Sequence, residues 1–316
     1  MKHNLKITAI LLVMFVLTQF IGLYVVNYYS PVQIVDGQVV EKVDVVGLPF
    51  GLETPKVEEQ GEYVGVFVSI IIAFAFAIGV MFLLIKFNTE VLLKLWFFVV
   101  VIIALGISFT SFLSTIQYAS LIALILAIPL AYFKIYKQQF LVHNTTELLV
   151  YPGIAAVFVP ILNVWTVIGL LVLISVYDMW AVWHSGIMQK MAKYQMDKLK
   201  VFSGFFLPYA DKKTRAKIKS ARIALKAGKI TEKDIVKKKF KVNVAILGGG
   251  DVIFPIITAG VMLKTLGFLS SVLVIVGATL GLSYLFFFAE KKKFYPAMPY
   301  ISAGIFLGIA LSYLLL

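Results

Sequence analysis

The sequence predicts an all-α, polytopic membrane protein of nine transmembrane helices, and three observations carry that expectation. Of its 316 residues, 61% are hydrophobic and 14% are charged, with a mean hydropathy of +0.95. Soluble domains lie nearer half apolar and a quarter charged. The apolar residues are gathered into runs long enough, or nearly so, to cross a hydrocarbon core of ~30 Å. The formal charge of +13 is not spread along the chain but confined to one stretch. Residues 185–241 hold 17 Lys+Arg against 4 Asp+Glu, and the remainder has 12 of each.

The first run, Leu5 to Tyr29, follows Lys2 and Lys6. It is long for a cleaved leader, and no small-x-small site follows it, so it is read as a membrane helix. Residues 30–62 form a polar loop with prolines, glycines and seven acids against two lysines. Short strands are an open option there; Val43 to Val46 alternates poorly. The further spans are Tyr63–Ile85, Val91–Leu113, Gln117–Phe133, Leu148–Asn163, Trp165–Trp183, Val242–Leu263, Phe268–Ala289 and Pro296–Leu316. The fifth and sixth are so close that they form a tight hairpin. Three units result: an N-terminal bundle of six spans over 1–184, a basic loop over 185–241, and three C-terminal spans over 242–316.

Orientation follows from the cationic residues, which accumulate on the cytoplasmic side. With the N-terminus inside, 26 of the 29 Lys+Arg fall inside and only Lys42, Lys56 and Lys264 fall outside. The N-terminus and the basic loop are therefore expected in the cytoplasm, loop 30–62 and the C-terminus outside. Within the basic loop, Asp211 to Ala227 reads as a helix stopped by Gly228. Thr231 to Asp234 reads as the cap of a second, shorter one. A lysine-rich segment of this kind is expected to lie on anionic lipid headgroups. No aromatic residues interleave the charges as a nucleic-acid platform would need, so nucleic acid is not expected as a partner.

Composition removes several chemistries. The chain has no cysteine, and its three histidines, His3, His143 and His184, are too scattered for a ligand cluster. Disulfides, thiolate metal sites and cysteine nucleophiles are excluded, and no metal or organic cofactor is expected. Two acids stand out instead. Asp178 and Asp251 lie inside apolar runs, where a carboxylate costs roughly 2.5–3.5 kcal/mol on insertion scales and points to function. Gly248, Gly249 and Gly250 precede Asp251, and Pro255 follows it, so the helix expected there is loosened on both sides. Both acids fall at comparable depth in the inner half of the membrane, Asp251 about 14 Å from Val242 at helical rise. Two carboxyls sharing a site hold one proton between them, so one polarises a carbonyl while the other activates water. Membrane acids also carry ions in proton- or sodium-coupled transporters. From the carboxylates alone, protease and transporter both remain open.

Three motifs in order bear on that choice. Tyr177-Asp178, Gly248-Gly249-Gly250-Asp251 after a long loop, and Pro296-Ala297-Met298-Pro299 at the last span resemble the presenilin and signal peptide peptidase family. Its marks are Tyr-Asp on the sixth helix, Gly-x-Gly-Asp on the seventh and Pro-Ala-Leu on the ninth. Each motif alone is weak; the three in register over nearly the whole chain are specific. Met298 departs from the family's Leu, a swap that roughly keeps volume, and Gly249 occupies the variable position. The resemblance implies an intramembrane aspartyl protease that cuts single-span membrane proteins within their helices, with Asp178 and Asp251 catalytic. It implies that Gly248 to Gly250 and Pro296 to Pro299 shape substrate docking, the prolines leaving backbone carbonyls free to pair with an extended substrate. Tyr177 is expected as a packing or hydrogen-bonding neighbour. The lysine distribution fits the presenilin-like orientation, and the small lysine-rich chain suits an archaeal or bacterial member.

Overall fold

The computed structural model describes residues 5–35, 38–41, 46–53, 55, 57, 60–87, 89–137, 139–184, 203–209, 214, 220, 243–290 and 295–315. Among them are nine helices long and apolar enough to cross a membrane. In chain order these are α1 (Leu5–Tyr29), α2 (Gln60–Lys86), α3 (Glu90–Phe112), α4 (Ala119–Tyr132), α5 (Phe140–Phe158), α6 (Val164–Trp183), α7 (Gly249–Leu266), α8 (Phe268–Phe288) and α9 (Met298–Leu315). A π turn, Phe133–Lys137, extends α4. The helices expected at 211–227 and after Thr231 lie outside the described residues, as does most of the basic loop.

Two departures from the all-α expectation matter. In the first loop β1 (Val32–Val35) pairs antiparallel with β2 (Gln38–Glu41), ahead of the Val43–Val46 stretch. The second is at the opposite end of the bundle. There β3 (Gly204–Tyr209) pairs antiparallel with β4 (Asn243–Gly248), Gly204 opposite Gly248 and Tyr209 opposite Asn243. Apolar length alone assigned residues 243–248 to the seventh helix. Yet Val244, Ala245, Ile246 and Leu247 alternate exposed and buried, which is the period of a strand. The helix begins only at Gly249, which shortens it to 18 residues.

The fifth span also differs. It starts at Phe140 rather than Leu148, because its first two turns carry His143, Asn144 and Glu147. These polar residues interrupt the apolar run without interrupting the helix. The α5–α6 connection is the tight hairpin expected. A 3-10 turn, Val159–Ile161, leads to Asn163, whose side chain accepts from the Thr166 N–H while Thr166 Oγ1 accepts from the Asn163 N–H, both at 2.9 Å. This reciprocal capping closes two of the orphan donors at the start of α6.

The main core is built from α1, α5, α6, α7, α8 and α9, with Phe15, Leu171, Ile256, Ile275 and Ile305 buried in it. A second cluster joins α3, α4 and α5 around Leu105, Ala127 and Val150. In contrast α2 is peripheral; the ring of Phe67 fills the space over Gly169 of α6. Gly267, with φ at 85°, makes the turn that sends α8 back along α7, a conformation that favours glycine. The α8–α9 seam is a close one, where Gly277 and Gly281 face Gly304, Tyr300 and Gly308 backbone to backbone. A methyl group built on Gly304 would run into the Gly277 carbonyl oxygen. Small residues permit this approach, which is how membrane helices gain packing energy without a hydrophobic drive between them.

That seam predicts that Gly304→Val lowers stability by about 2 kcal/mol or more, since neither backbone can yield. Gly79→Ala, at a position with open space around it, should leave the midpoint of thermal unfolding in detergent unchanged or slightly raised.

Candidate active site

Asp178 sits five residues before the end of α6 and is buried. Its carboxylate Oδ2 accepts from the Met298 backbone N–H at 3.0 Å, and the Ala297 N–H donates to the same group. These N–H groups are available because they open α9, where the first turn has no intrahelical acceptor. Ser175 donates to Ser302 at 2.9 Å one turn deeper, holding α6 against α9. The Pro-Ala-Met-Pro stretch therefore acts on Asp178 through its donors. The expectation of carbonyls left free for substrate does not hold at Ala297, whose oxygen accepts from Tyr300 and Ile301. Pro299 is the second residue of α9, where a missing N–H is harmless.

Asp251 is the third residue of α7 rather than a group deep in a long helix, because β4 replaces the turns expected before it. Its carboxylate folds back over the chain. The Gly248 N–H donates to it, and a Cβ built on Gly248 would lie 3.1 Å from Oδ2. Gly248 thus leaves the space that the carboxylate occupies. The start of a helix, with its unpaired N–H groups, is a favourable place for an acid. From α1, Gln19 Nε2 donates to the Val252 carbonyl at 3.1 Å, which fixes the turn next to Asp251.

Gly249 has a different reason. Its N–H donates to the Ser203 carbonyl at 3.3 Å. A Cβ there would stand 2.7 Å from Ser203 Oγ and 2.8 Å from Tyr151 Oη. Close approach, not looseness, requires this glycine. Gly250 is exposed and meets only Phe254.

The two acids are neighbours: α6 packs on α7, and Asp178 acts electrostatically on Asp251. Tyr177 points elsewhere, its ring edge-on to Phe74 of α2 at 6.0 Å between centroids and 6.3 Å from Trp180. Among the described residues no three His, Asp or Glu side chains gather as a metal site would require.

Nothing in the three motifs pointed to α5. There His143, Asn144, Glu147 and Tyr151 share one helix face and reach β3 and the glycine turn, backed by Lys134. The signal available in the sequence was the spacing of these polar residues at helical period beside an apolar run.

The family model described as signal-peptide peptidase, presenilin aspartyl protease matches residues 39–316. The chain belongs to this family. It is accordingly an aspartic endopeptidase, a multi-pass integral membrane protein of presenilin type that acts on membrane proteins in the bilayer. Two solved structures of a presenilin family intramembrane aspartate protease share its fold. The one in space group C222 has a TM-score of 0.60 and 17% identity, covering 98% of this chain and 99% of that one. The one in space group P2 has a TM-score of 0.58 and 17% identity, covering 97% of each. No curated protein matches the chain in sequence. The transporter reading of the two acids gains no support from these matches.

The donors on Asp178 give a direct test. Met298→Pro removes one N–H at the first residue of α9, where proline is accepted, and should slow cleavage about tenfold or more, the scale of a hydrogen bond to a charged group. Met298→Leu keeps that N–H and should cleave within about twofold of wild type, because volume is conserved. Initial rates on one membrane peptide, with thermal stability measured alongside, decide it.

Proposed function

We propose that this protease hydrolyses peptide bonds inside the membrane-spanning helix of single-span proteins, with Asp178 and Asp251 as the catalytic pair. The observation that supports the reading is that α6, α7 and α9 pack together with the two acids within electrostatic reach, each carboxyl accepting from backbone N–H. The pair shares one proton. The ionised carboxyl removes a proton from a water as its oxygen bonds to the scissile carbonyl carbon, and the protonated one donates to the carbonyl oxygen. Collapse of the tetrahedral diol breaks the C–N bond and passes a proton to the departing amine. Pair and proton count are restored.

A helical substrate keeps its carbonyls in its own hydrogen bonds, so the target segment unwinds first. In our reading β4 receives it. Backbone groups on one side of β3 are taken by α5: Gly204 by His143 and Glu147, Phe206 by Asn144. In an antiparallel ladder the residues facing the partner alternate with those facing away. Phe205 and Leu207 then bond Leu247 and Ala245, and Val244 and Ile246 turn their N–H and C=O groups to the edge that no other described strand covers. Pro208 falls in the set facing away from β4, where its missing N–H is not needed. Adding an extended peptide to that edge supplies main-chain hydrogen bonds just ahead of Asp251. Gly248 to Gly250 keep this approach slim, while Pro296 to Pro299 contribute by fixing Asp178.

The catalytic end is assigned to the cytoplasmic side, with the N-terminus inside and the C-terminus outside, on the strength of the 26-to-3 division of Lys+Arg.

Asp178→Ala and Asp251→Ala should each abolish cleavage of a labelled single-span peptide by the purified protein while leaving a folded, inserted chain. Removing either member of a pair that works as a unit costs about as much as removing both. Near-normal cleavage by either variant, or none by wild type, overturns the reading; ion-coupled uptake into liposomes without peptide products would restore the transporter.

Orientation has its own measurement. Because the chain lacks cysteine, single cysteines probe it cleanly with an impermeant thiol reagent. Ser220→Cys should label only from the cytoplasmic face and Gln60→Cys only from the outer face; the reverse pattern would invert the assignment.

A further inference from the structure

The polar face of α5 has no place in the chemistry of the two aspartates, yet it is built with care. His143, Asn144 and Glu147 lie within one helical turn of each other, and all three are buried. Polar groups at this depth are costly unless each finds a partner. Asn144 Oδ1 accepts from the Phe206 N–H at 3.1 Å, and Asn144 Nδ2 donates to the Phe206 carbonyl at 2.9 Å. That two-bond exchange is what a strand residue would make with its opposite number. Two turns of a helix thus imitate a third strand. At the next outward-facing residue Glu147 Oε1 accepts from the Gly204 N–H at 3.2 Å, and His143 Nε2 donates to the Gly204 carbonyl at 2.8 Å. Gly204, with φ at 142°, adopts a backbone that favours glycine and so presents both groups to α5. Behind them Lys134 Nζ bonds Glu147 Oε1 at 2.6 Å, so this oxygen is both paired and hydrogen-bonded, whereas Oε2 is buried without a hydrogen-bond partner among the described residues.

We propose that Asn144, supported by His143, Glu147 and Lys134, is a positioning residue that closes the outer edge of β3 and sets which bond of a docked substrate reaches the aspartates. The inference rests on the reading of β4 as the strand that receives substrate. The link is geometric. Asn144 fixes Phe206 along the α5 axis, Phe206 stands opposite Ile246, and Ile246 lies five residues before Asp251. A peptide added beside Ile246 is therefore placed both by the run of β4 into α7 and by paired backbone groups that anchor β4 through β3 to Asn144. Closing the β3 edge has a second effect. Among the described residues of the hairpin, an extended peptide finds free donors and acceptors on β4 and not on the clasped edge of β3, so it docks on one side of the hairpin.

Loss of the clasp would loosen the seat of the β3–β4 hairpin on α5 and so the fixed pairing of a docked peptide with β4; re-pairing along a strand proceeds in steps of two residues if side chains are to keep their faces. The experiment uses purified full-length protein and a labelled synthetic peptide with one Leu/Ala/Gly span of ~20 residues, with products read by mass spectrometry. Asn144→Leu keeps approximate volume and removes both bonds. The share of product cut at the main bond should fall about fivefold, the scale of a lost hydrogen bond, with new products roughly two residues away. A merely structural role would lower all products in proportion, and an unchanged product ratio overturns the proposal. If Asn144→Leu shows no melting transition, Asn144→Gln, which keeps an amide but lengthens its reach, carries the same test: a shifted ratio supports the proposal and the wild-type ratio overturns it. Ile246→Pro separates the two readings, because it removes an open-edge N–H without touching the ladder to β3. Unchanged rate and products there would remove the β4 docking reading itself. A change there, with wild-type product ratios from both Asn144 variants, would remove this inference alone.

Discussion

The active end of this protease depends on closing backbone hydrogen bonds where water is scarce. Membrane-embedded backbone is tolerated outside helices only when protein satisfies it. Here the unpaired N–H groups at the start of α9 meet Asp178, and the Gly248 N–H meets Asp251. The outward edge of β3 meets His143, Asn144 and Glu147. Each acid thus serves as a cap where secondary structure begins. On the proposed assignment these same carboxyls are the reagents, so the geometry of catalysis is inherited from the ends of helices.

This explains what could be read in the sequence and what could not. Apolar length places all nine spans, because length and hydropathy are what the bilayer demands, and α1 begins and ends where the run does. Three short motifs mark the converging helix ends. What length cannot see is the switch of period within one apolar run. Residues 244–247 are apolar on both faces although only Ala245 and Leu247 are buried, so no polar alternation separates the strand from the helix that follows. The opposite error occurred at α5, where polar residues shortened the expected helix although their partners lie some 60 residues away on β3. Pairings at that separation leave no local trace. Tyr177 packs edge-on to Phe74; the donor role of Ala297 and Met298 needs the fold, since a backbone N–H carries no side-chain signature.

The helices also divide into firm and loose parts. α8 and α9 meet through glycine backbones and share a core with α7, which makes the C-terminal three helices a stiff support for Asp251 and for the donors of Asp178. By contrast α2 meets α6 through aromatic contacts, Phe67 over Gly169 and Phe74 against Tyr177. A few aromatic contacts are a weak hold compared with a seam of backbone contacts. Among the described contacts, the wall beside Tyr177 is therefore held less firmly than the α8–α9 seam.

The crowding at Gly249 bears on how this family's signature can vary. The variable residue of the motif is in contact with Ser203, just before β3, and with Tyr151 on α5. Three segments far apart in the chain share one small volume. The motif is consequently not a portable cassette: a larger residue at position 249 requires a smaller one on α5 or ahead of β3 at the same time. Diversification here proceeds by coordinated exchange across the bundle, and a chimera that transplants the four-residue signature alone carries only part of the unit on which it depends.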